Sequence, residues 1–339
     1  MSKKITLWVF IIVFLMPLTG YSYITVLLYH KFDEADSPST SISSLMFMEQ
    51  MEYLKANNYQ VLSMRELAKC IKGEAPIPEK GVVITIDDGY ISAYNKAIPI
   101  LRKFNYPFIV FVASGAVGSR RCMDWEQLKK LTMWGGDVGC HSLTHPHLVD
   151  ISKKEIEKEI ILSKKIMQDG LGCKIEWFAY PFGEYDEYIR SVGIQAGYTL
   201  LMTSDPGSVG KETLPDVVPR QAIVGKNMDM KRFKEKLSRL PLMVSTRVPH
   251  PGRVESNIIR GIRIAIKDPQ QYQPGQVQMF LSEKGRLSTV FDPVSGMVSC
   301  RDVLVLSRKV NRIITTARRR QDNHYAMHSY MIVLPEDKK

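Results

Sequence analysis

The sequence predicts an α/β fold followed by a β-rich C-terminal module. Three observations predict it. Short apolar strands alternate with amphipathic helices from residue 24 to about residue 220, the rhythm of a parallel strand-helix core. Three of those strands end in polar clusters, and beyond residue 245 turn signals crowd together between short apolar runs. With 339 residues, 45% apolar and 24% charged, the chain can bury a large core, which excludes the disordered and collagen-like classes.

Element by element, the chain opens with Lys3 and Lys4 ahead of an apolar run from Ile5 to Leu18, broken near its end by Pro17 and Gly20. Gly20-Tyr21-Ser22 has the small-x-small pattern of a cleavage site. Residues 1–22 are therefore expected to be an export signal or a retained anchor, the run being short for a spanning helix. Export to the periplasm, the cell surface or the medium follows. Residues 23–240 are expected to form the α/β domain and residues 245–339 the second module.

Ile24 to Tyr29 is the first strand, and Phe47, Met51 and Leu54 mark a helix over Ser44 to Asn57. Met64 to Ile71 is a second helix, and Val82 to Ile86 a buried strand running into Asp87-Asp88-Gly89. The rhythm continues through helix Ala93 to Phe104, strand Phe108 to Ala113, helix Asp124 to Trp134 and strand Asp137 to His141. Helix Lys153 to Asp169 is expected to stop at Gly170, followed by strand Ile175 to Ala179, helix Tyr185 to Gln195 and a last helix over Lys231 to Leu240. In the C-terminal module, Val277 to Leu281 and Val303 to Leu306 are short strand candidates.

The charge is uneven. The chain carries 46 Lys and Arg against 35 Asp and Glu, and residues 245–339 hold 16 of the former and 8 of the latter, most of the net +11. That excess fits an anionic membrane or polymer as a partner. Arg318-Arg319-Arg320 is one short run without a nucleic-acid-binding motif, so no nucleic acid is expected. Five scattered cysteines without a C-x-x-C pair exclude a zinc ribbon and a dense disulfide scaffold.

Ligand sites on parallel α/β frameworks gather at the C-terminal ends of strands, which directs attention to the three polar clusters. In Thr85-Ile86-Asp87-Asp88-Gly89, two adjacent carboxylates point in different directions, so one can bind a metal while the other faces a reacting group; a helix-capping turn is the alternative. In His141-Ser142-Leu143-Thr144-His145-Pro146-His147, two histidines four apart can converge on one ion and, with a carboxylate, complete the three protein ligands of a catalytic zinc. His147 fits a supporting place better. In Ala179-Tyr180-Pro181-Phe182-Gly183-Glu184-Tyr185, Pro and Gly hold a tight loop whose backbone N–H can face a bound carbonyl.

Together the clusters resemble the polysaccharide deacetylase family, the nodulation-type metal-dependent carbohydrate esterases, whose motifs run T-F-D-D-G, H-S-x-x-H and R-x-P-Y-G in this order. Here they stand as Thr85 to Gly89, His141 to His145 and Pro181 to Gly183, and the likeness covers roughly residues 24–224. The resemblance implies a distorted (β/α) barrel in which Asp88, His141 and His145 hold one divalent metal, usually zinc, and Asp87 is the general base. It also implies that the Phe182 N–H holds the oxyanion. The family's late L-x-H motif is missing, but Leu28-Tyr29-His30 matches it at the first strand. That arrangement is similar to the poly-β-1,6-N-acetylglucosamine N-deacetylases and implies His30 as general acid, a core histidine being the alternative. Ala179 occupies the position of the motif arginine that pairs with the base, and Arg220 is the candidate replacement, provided its strand lies beside Asp87.

The resemblance thus implies removal of N-acetyl groups from an N-acetylglucosamine-containing glycan polymer of a biofilm or cell wall. A non-catalytic carbohydrate-binding protein on the same scaffold and an O-acetyl esterase are the competing readings. Tyr90, Trp125, Trp134, Tyr180 and Tyr185 lie near the motifs, as core residues or as platforms for sugar rings.

Overall fold

A computed structural model describes residues 21–335. Most of the segment read as an export signal, residues 1–20, lies outside the described residues, and among those described no helix is long and apolar enough to cross a membrane.

Seven parallel strands build the first sheet: β1 (Ile24–Tyr29), β2 (Gly81–Ile86), β3 (Phe108–Val112), β4 (Gly136–Cys140), β5 (Trp177–Ala179), β6 (Leu200–Met202) and β7 (Gln221–Ala222). Their order is β7-β1-β2-β3-β4-β5-β6, with Gln60–Val61 pairing alongside the start of β2. β1 and β2 are buried along their whole length, as continuous apolar runs between two layers must be. The two edges come together through one segment. Val218 bridges to Met202 on β6, while Gln221 and Ala222 pair with Leu27 and Leu28 on β1. The result is a distorted barrel.

The helices begin where the sequence offers caps. Ser63 with Glu66, Asp124 with Gln127 and Ser152 with Glu155 each form a reciprocal capping box. The helix expected to stop at Gly170 continues to Leu171, and Gly172 closes it at φ 70°. Gly170 has a packing reason instead, since a Cβ there would lie 2.3 Å from the Trp125 ring. This helix, residues 153–171, also contains a π-helical stretch at Lys158–Leu162. The helix expected from Tyr185 begins at Glu187, with Asp186 as its N-cap, and leaves Tyr185 in the preceding turn.

The C-terminal module holds longer strands than the sequence suggested: β8 (Val244–Val248), β9 (Ile258–Ile266), β10 (Tyr272–Leu281), β11 (Met297–Val305), β12 (Val310–Arg319) and β13 (Tyr325–Val333). They pair antiparallel in two sheets, β8-β9-β11 and β10-β12-β13. β12 and β13 escape sequence reading because polar residues occupy inward positions. Asn311, Thr315 and Arg319 alternate with Ile313 and Ala317 on the buried face of β12. β13 joins the two halves of the chain. Met331 and Val333 pack into the barrel core, while the alternating Tyr330 and Ile332 pack into the module's own core with Ile264, Met279 and Ile313.

Four of the module's 16 Lys and Arg side chains pair with the barrel. Arg253, Lys267, Lys309 and Arg312 pair with Asp186, Glu212, Asp150 and Asp205. Part of the excess that the sequence assigned to an external anion is thus taken up within the chain. All five cysteines are free thiols.

Candidate active site

Asp87 and Asp88 follow β2, His141 follows β4, and Phe182 sits three residues after β5, so the clusters meet at one end of the barrel. Asp88 stands at φ 72° and is followed by Gly89 at φ 70°. Ser142 and His145 also have positive φ, as does Phe182 at φ 57°. Left-handed conformations cost a residue with a side chain about 1–2 kcal/mol each, and concentrating them here indicates a site held in place by its surroundings.

Asp88 Oδ1 lies 3.5 Å from His141 Nε2 and 3.4 Å from His145 Nε2, and the two Nε2 atoms are 3.2 Å apart. Among the described residues this is the cluster of Asp, His and Cys type that can hold a metal ion. A tetrahedral ion with bonds of about 2.0–2.1 Å needs donors roughly 3.3–3.4 Å apart, so the set fits. His141 Nδ1 is 2.7 Å from the Ala179 carbonyl, which fixes the tautomer and leaves Nε2 as the free donor. Burial, and next the adjacent His141, push the His145 ring below its usual range, toward the neutral form that binds metals.

The loop carrying the histidines is pinned by a residue that sequence reading missed. The buried Glu159 accepts from the Leu143 N–H at 2.9 Å, the Thr144 N–H at 2.8 Å and the Thr144 hydroxyl at 2.6 Å. Ser142 Oγ accepts from the His145 N–H, and Ser163 Oγ donates to the Ser142 carbonyl. His147 stands outside the metal-type cluster. It bonds Glu184 at 2.9 Å and stacks on Phe182 with ring centres 3.8 Å apart.

Arg220 reaches Asp87. Its Nη1 and Nη2 donate to Asp87 Oδ1 and Oδ2, each at 2.8 Å, its Nε donates to the Thr203 carbonyl at 2.7 Å, and the side chain is 1% exposed. Burial alone would raise the Asp87 carboxyl, but the Arg220 guanidinium, with His141 and His30, brings it down to about 2. Oδ2, 3.8 Å from His141 Nε2, is the oxygen turned toward the cluster.

His30 follows β1 and sits within the electrostatic reach of Asp87, Asp88, Arg220 and His141. Burial lowers its pKa, the two carboxylates oppose that, and its Nδ1 has no hydrogen-bond partner among the described residues. In the third cluster, the Gly183 and Glu184 N–H groups close the turn onto Tyr180 and Pro181, leaving the Phe182 N–H outside that bonding. A Cβ on Gly183 would lie 2.0 Å from Ser204 Oγ, so only glycine fits. Tyr180 and Tyr185 are buried. Phe182, 46% exposed, and the partly buried Tyr90, whose hydroxyl bonds Asp88, are aromatics the site presents.

Three comparisons with known proteins agree with this geometry. Residues 74–201 match the family model described as polysaccharide deacetylase. The Bacillus subtilis protein YxkH, which bears the name polysaccharide deacetylase, is 26% identical over 187 residues, 55% of this chain and 66% of its own. The Escherichia coli poly-β-1,6-N-acetyl-D-glucosamine N-deacetylase is 23% identical over 261 residues, 64% of this chain and 38% of its own, so the chain spans only part of these relatives. The structure of IcaB from Ammonifex degensii superposes with a TM-score of 0.56 at 26% identity, covering 60% of this chain and 92% of that one. Matching motifs, barrel and donor set together mean that residues 74–201 lie in a polysaccharide deacetylase domain.

Proposed function

We propose that the chain is an exported, metal-dependent N-deacetylase acting on an N-acetylglucosamine polymer. The observation that carries the proposal is the convergence of Asp88, His141 and His145 beside a carboxylate, Asp87, that is held ionised by a buried arginine. Asp88 Oδ1 and the Nε2 atoms of His141 and His145 are the groups to hold a divalent cation, zinc by donor type. When bound, such an ion polarises the acetamide carbonyl and acidifies water.

The chain's own groups supply the rest. Asp87 Oδ2 faces the cluster and is placed to take the proton of the attacking water, with Arg220 fixing the carboxylate plane. The Phe182 N–H, free of the turn's hydrogen bonds, is positioned to donate to the oxyanion as the carbonyl carbon becomes tetrahedral. His30 supplies a proton to the leaving nitrogen, a contribution of roughly 100-fold or more for a well-placed acid. The exposed Phe182 ring, backed by His147, offers an apolar face against which a pyranose ring can pack. The sequence match to a poly-β-1,6-N-acetyl-D-glucosamine N-deacetylase supports that polymer class as substrate.

The test is acetate release from β-1,6- and β-1,4-linked N-acetylglucosamine oligomers after metal removal and restoration. Restored release, abolished in Asp88→Ala together with bound metal and abolished in Asp87→Asn with metal retained, is the expected result. Glycan binding without acetate release by the metal-restored protein would instead make the chain a carbohydrate-binding protein on this scaffold.

A further inference from the structure

We propose that Arg312, from the C-terminal module, is a positioning residue for the Phe182 turn, so that the module belongs to the catalytic unit; this rests on the deacetylase reading above. Arg312 stands on β12, 130 residues from Phe182 in sequence, yet its Nη2 donates to the Phe182 carbonyl at 3.0 Å and lies 2.9 Å from Ser204 Oγ. Ser204 Oγ itself donates to the same carbonyl at 2.9 Å. Arg312 Nε donates to Asp205 Oδ1 at 2.9 Å, and the other oxygen of Asp205 accepts from the Tyr185 hydroxyl at 2.7 Å.

Those contacts matter because of what Phe182 must do. It holds a left-handed conformation, φ 57° and ψ 4°, that a phenylalanine adopts only under constraint. Fixing its carbonyl fixes its ψ and, through the short turn, the aim of the N–H assigned to the oxyanion. Within the barrel, the carbonyl is held by a single serine hydroxyl. Arg312 adds a charged donor and anchors it to a buried carboxylate.

The same short segment also governs the base. Thr203 accepts Arg220 Nε through its carbonyl, and the Asp205 carbonyl accepts the Arg220 N–H at 3.1 Å. Residues 203–205 therefore carry the arginine that orients Asp87 on one side and the turn that orients the Phe182 N–H on the other. Arg312 grips this segment from outside the barrel. A second module residue braces the adjoining elements. Arg253 Nε donates to Asp186 Oδ2, the N-cap of the helix after the turn, and its Nη2 donates to the Val149 carbonyl beyond the histidine loop, both at 2.8 Å.

The experiment compares the full chain with Arg312→Ala, Arg312→Lys and, as a control, Lys267→Ala, which breaks the exposed module-barrel pair with Glu212 and removes none of the hydrogen bonds to the turn. Three quantities are read: kcat and KM for acetate release, bound metal per chain, and amide hydrogen exchange over residues 180–186. For Arg312→Ala we expect a 10- to 100-fold fall in kcat with KM within about threefold, unchanged metal content, and at least tenfold faster exchange at Gly183 and Glu184, whose N–H groups close the turn, in keeping with the cost of misplacing an oxyanion donor. Arg312→Lys, which keeps the charge but can bond only some of the three acceptors, should recover part of kcat; Lys267→Ala should match the parent. Wild-type kcat in Arg312→Ala, or a loss accompanied by metal release and faster exchange across the whole barrel, overturns the positioning role. If the parent protein releases no acetate, the deacetylase reading fails by itself. The exchange at residues 180–186 then decides whether Arg312 holds the turn, and unchanged exchange overturns that too.

Discussion

The pairing of Arg220 with Asp87 has a consequence for stability that does not depend on any substrate. Arg220→Met keeps the apolar stem of the side chain but removes the donors to both Asp87 oxygens, to the Thr203 carbonyl and to Thr85 Oγ1. Asp87 is 3% exposed in its side chain, so its charge would be left buried without a counter-ion. Breaking one partner of such a pair costs about 3–5 kcal/mol, most of it the desolvated charge left behind. At about 2.1 cal/mol/K of unfolding entropy per residue, each kcal/mol moves the melting temperature of a 339-residue chain by roughly 1–2 °C, so the expected drop is about 4–7 °C. Calorimetry in the presence of a chelator reads this without interference from bound metal. The second half of the cycle is Asp87→Asn. In the Arg220→Met background it removes the stranded charge, so the double variant should be more stable than Arg220→Met, with a coupling of about 2–3 kcal/mol. Arg220→Met melting within about 1 kcal/mol of the parent, or additive single changes, would show that the two groups do not share a buried pair and would remove the arginine from the site.

Two further expectations test other parts of the structure. Glu159→Ala strips three hydrogen bonds from the histidine loop, and loss of such supporting contacts lowers metal affinity by about 10- to 100-fold; competition with a chromogenic chelator measures it, and unchanged affinity refutes the pinning role. His328, half-buried on β13 with Arg247 of β8 3.5 Å away and the Tyr330 ring beside it, has its pKa pushed down to about 3, first by burial and then by Arg247. Because the unfolded chain takes up this proton near pH 6.5 and the folded chain does not, the contribution is fully present above pH 6.5 and is lost as pH falls toward 3, about 1–2 kcal/mol of it between pH 7 and 5. Urea denaturation at both pH values should show that loss in the parent and not in His328→Gln, and equal losses in the two proteins would refute the assignment.

What the sequence reveals of this site depends on whether a residue's role is written locally. The carboxylate pair and the two histidines follow directly on apolar strands, so strand period and motif spacing suffice to find them. Arg220 is readable only as a candidate, since its meaning depends on β7 pairing with β1. Glu159 left one trace: it lies on the inward stripe of its helix with Ile156, Ile160 and Ser163, where a carboxylate needs a reason. Asp205 and Arg312 left none, because their partners are supplied by segments more than a hundred residues apart. The long strands of the module were obscured for a related reason: Asn311, Thr315 and Arg319 face inward, and the apolar alternation breaks wherever they stand.

Strand order also explains how the base can take its arginine from a different place than the resembled motif does. Tyr29 pairs with Ile86, so His30 and Asp87, each one residue further, emerge side by side at the barrel's end. Leu27 pairs with Gln221, which sets Arg220 lower in the barrel, on the far side of β1 from β2. Its side chain must therefore run up through the interior, and its bond to Thr85 Oγ1 on the way to Asp87 marks that path. An arginine at position 179 would approach from β5, on the other side of the metal-type cluster. Ala179 instead is fully buried, and its carbonyl fixes the His141 ring. The requirement is a rigid two-pronged donor that arrives on the carboxylate without crossing the histidines. A lysine at position 220 could not meet it, because one ammonium cannot bond both Asp87 oxygens in plane and the Thr203 carbonyl as well.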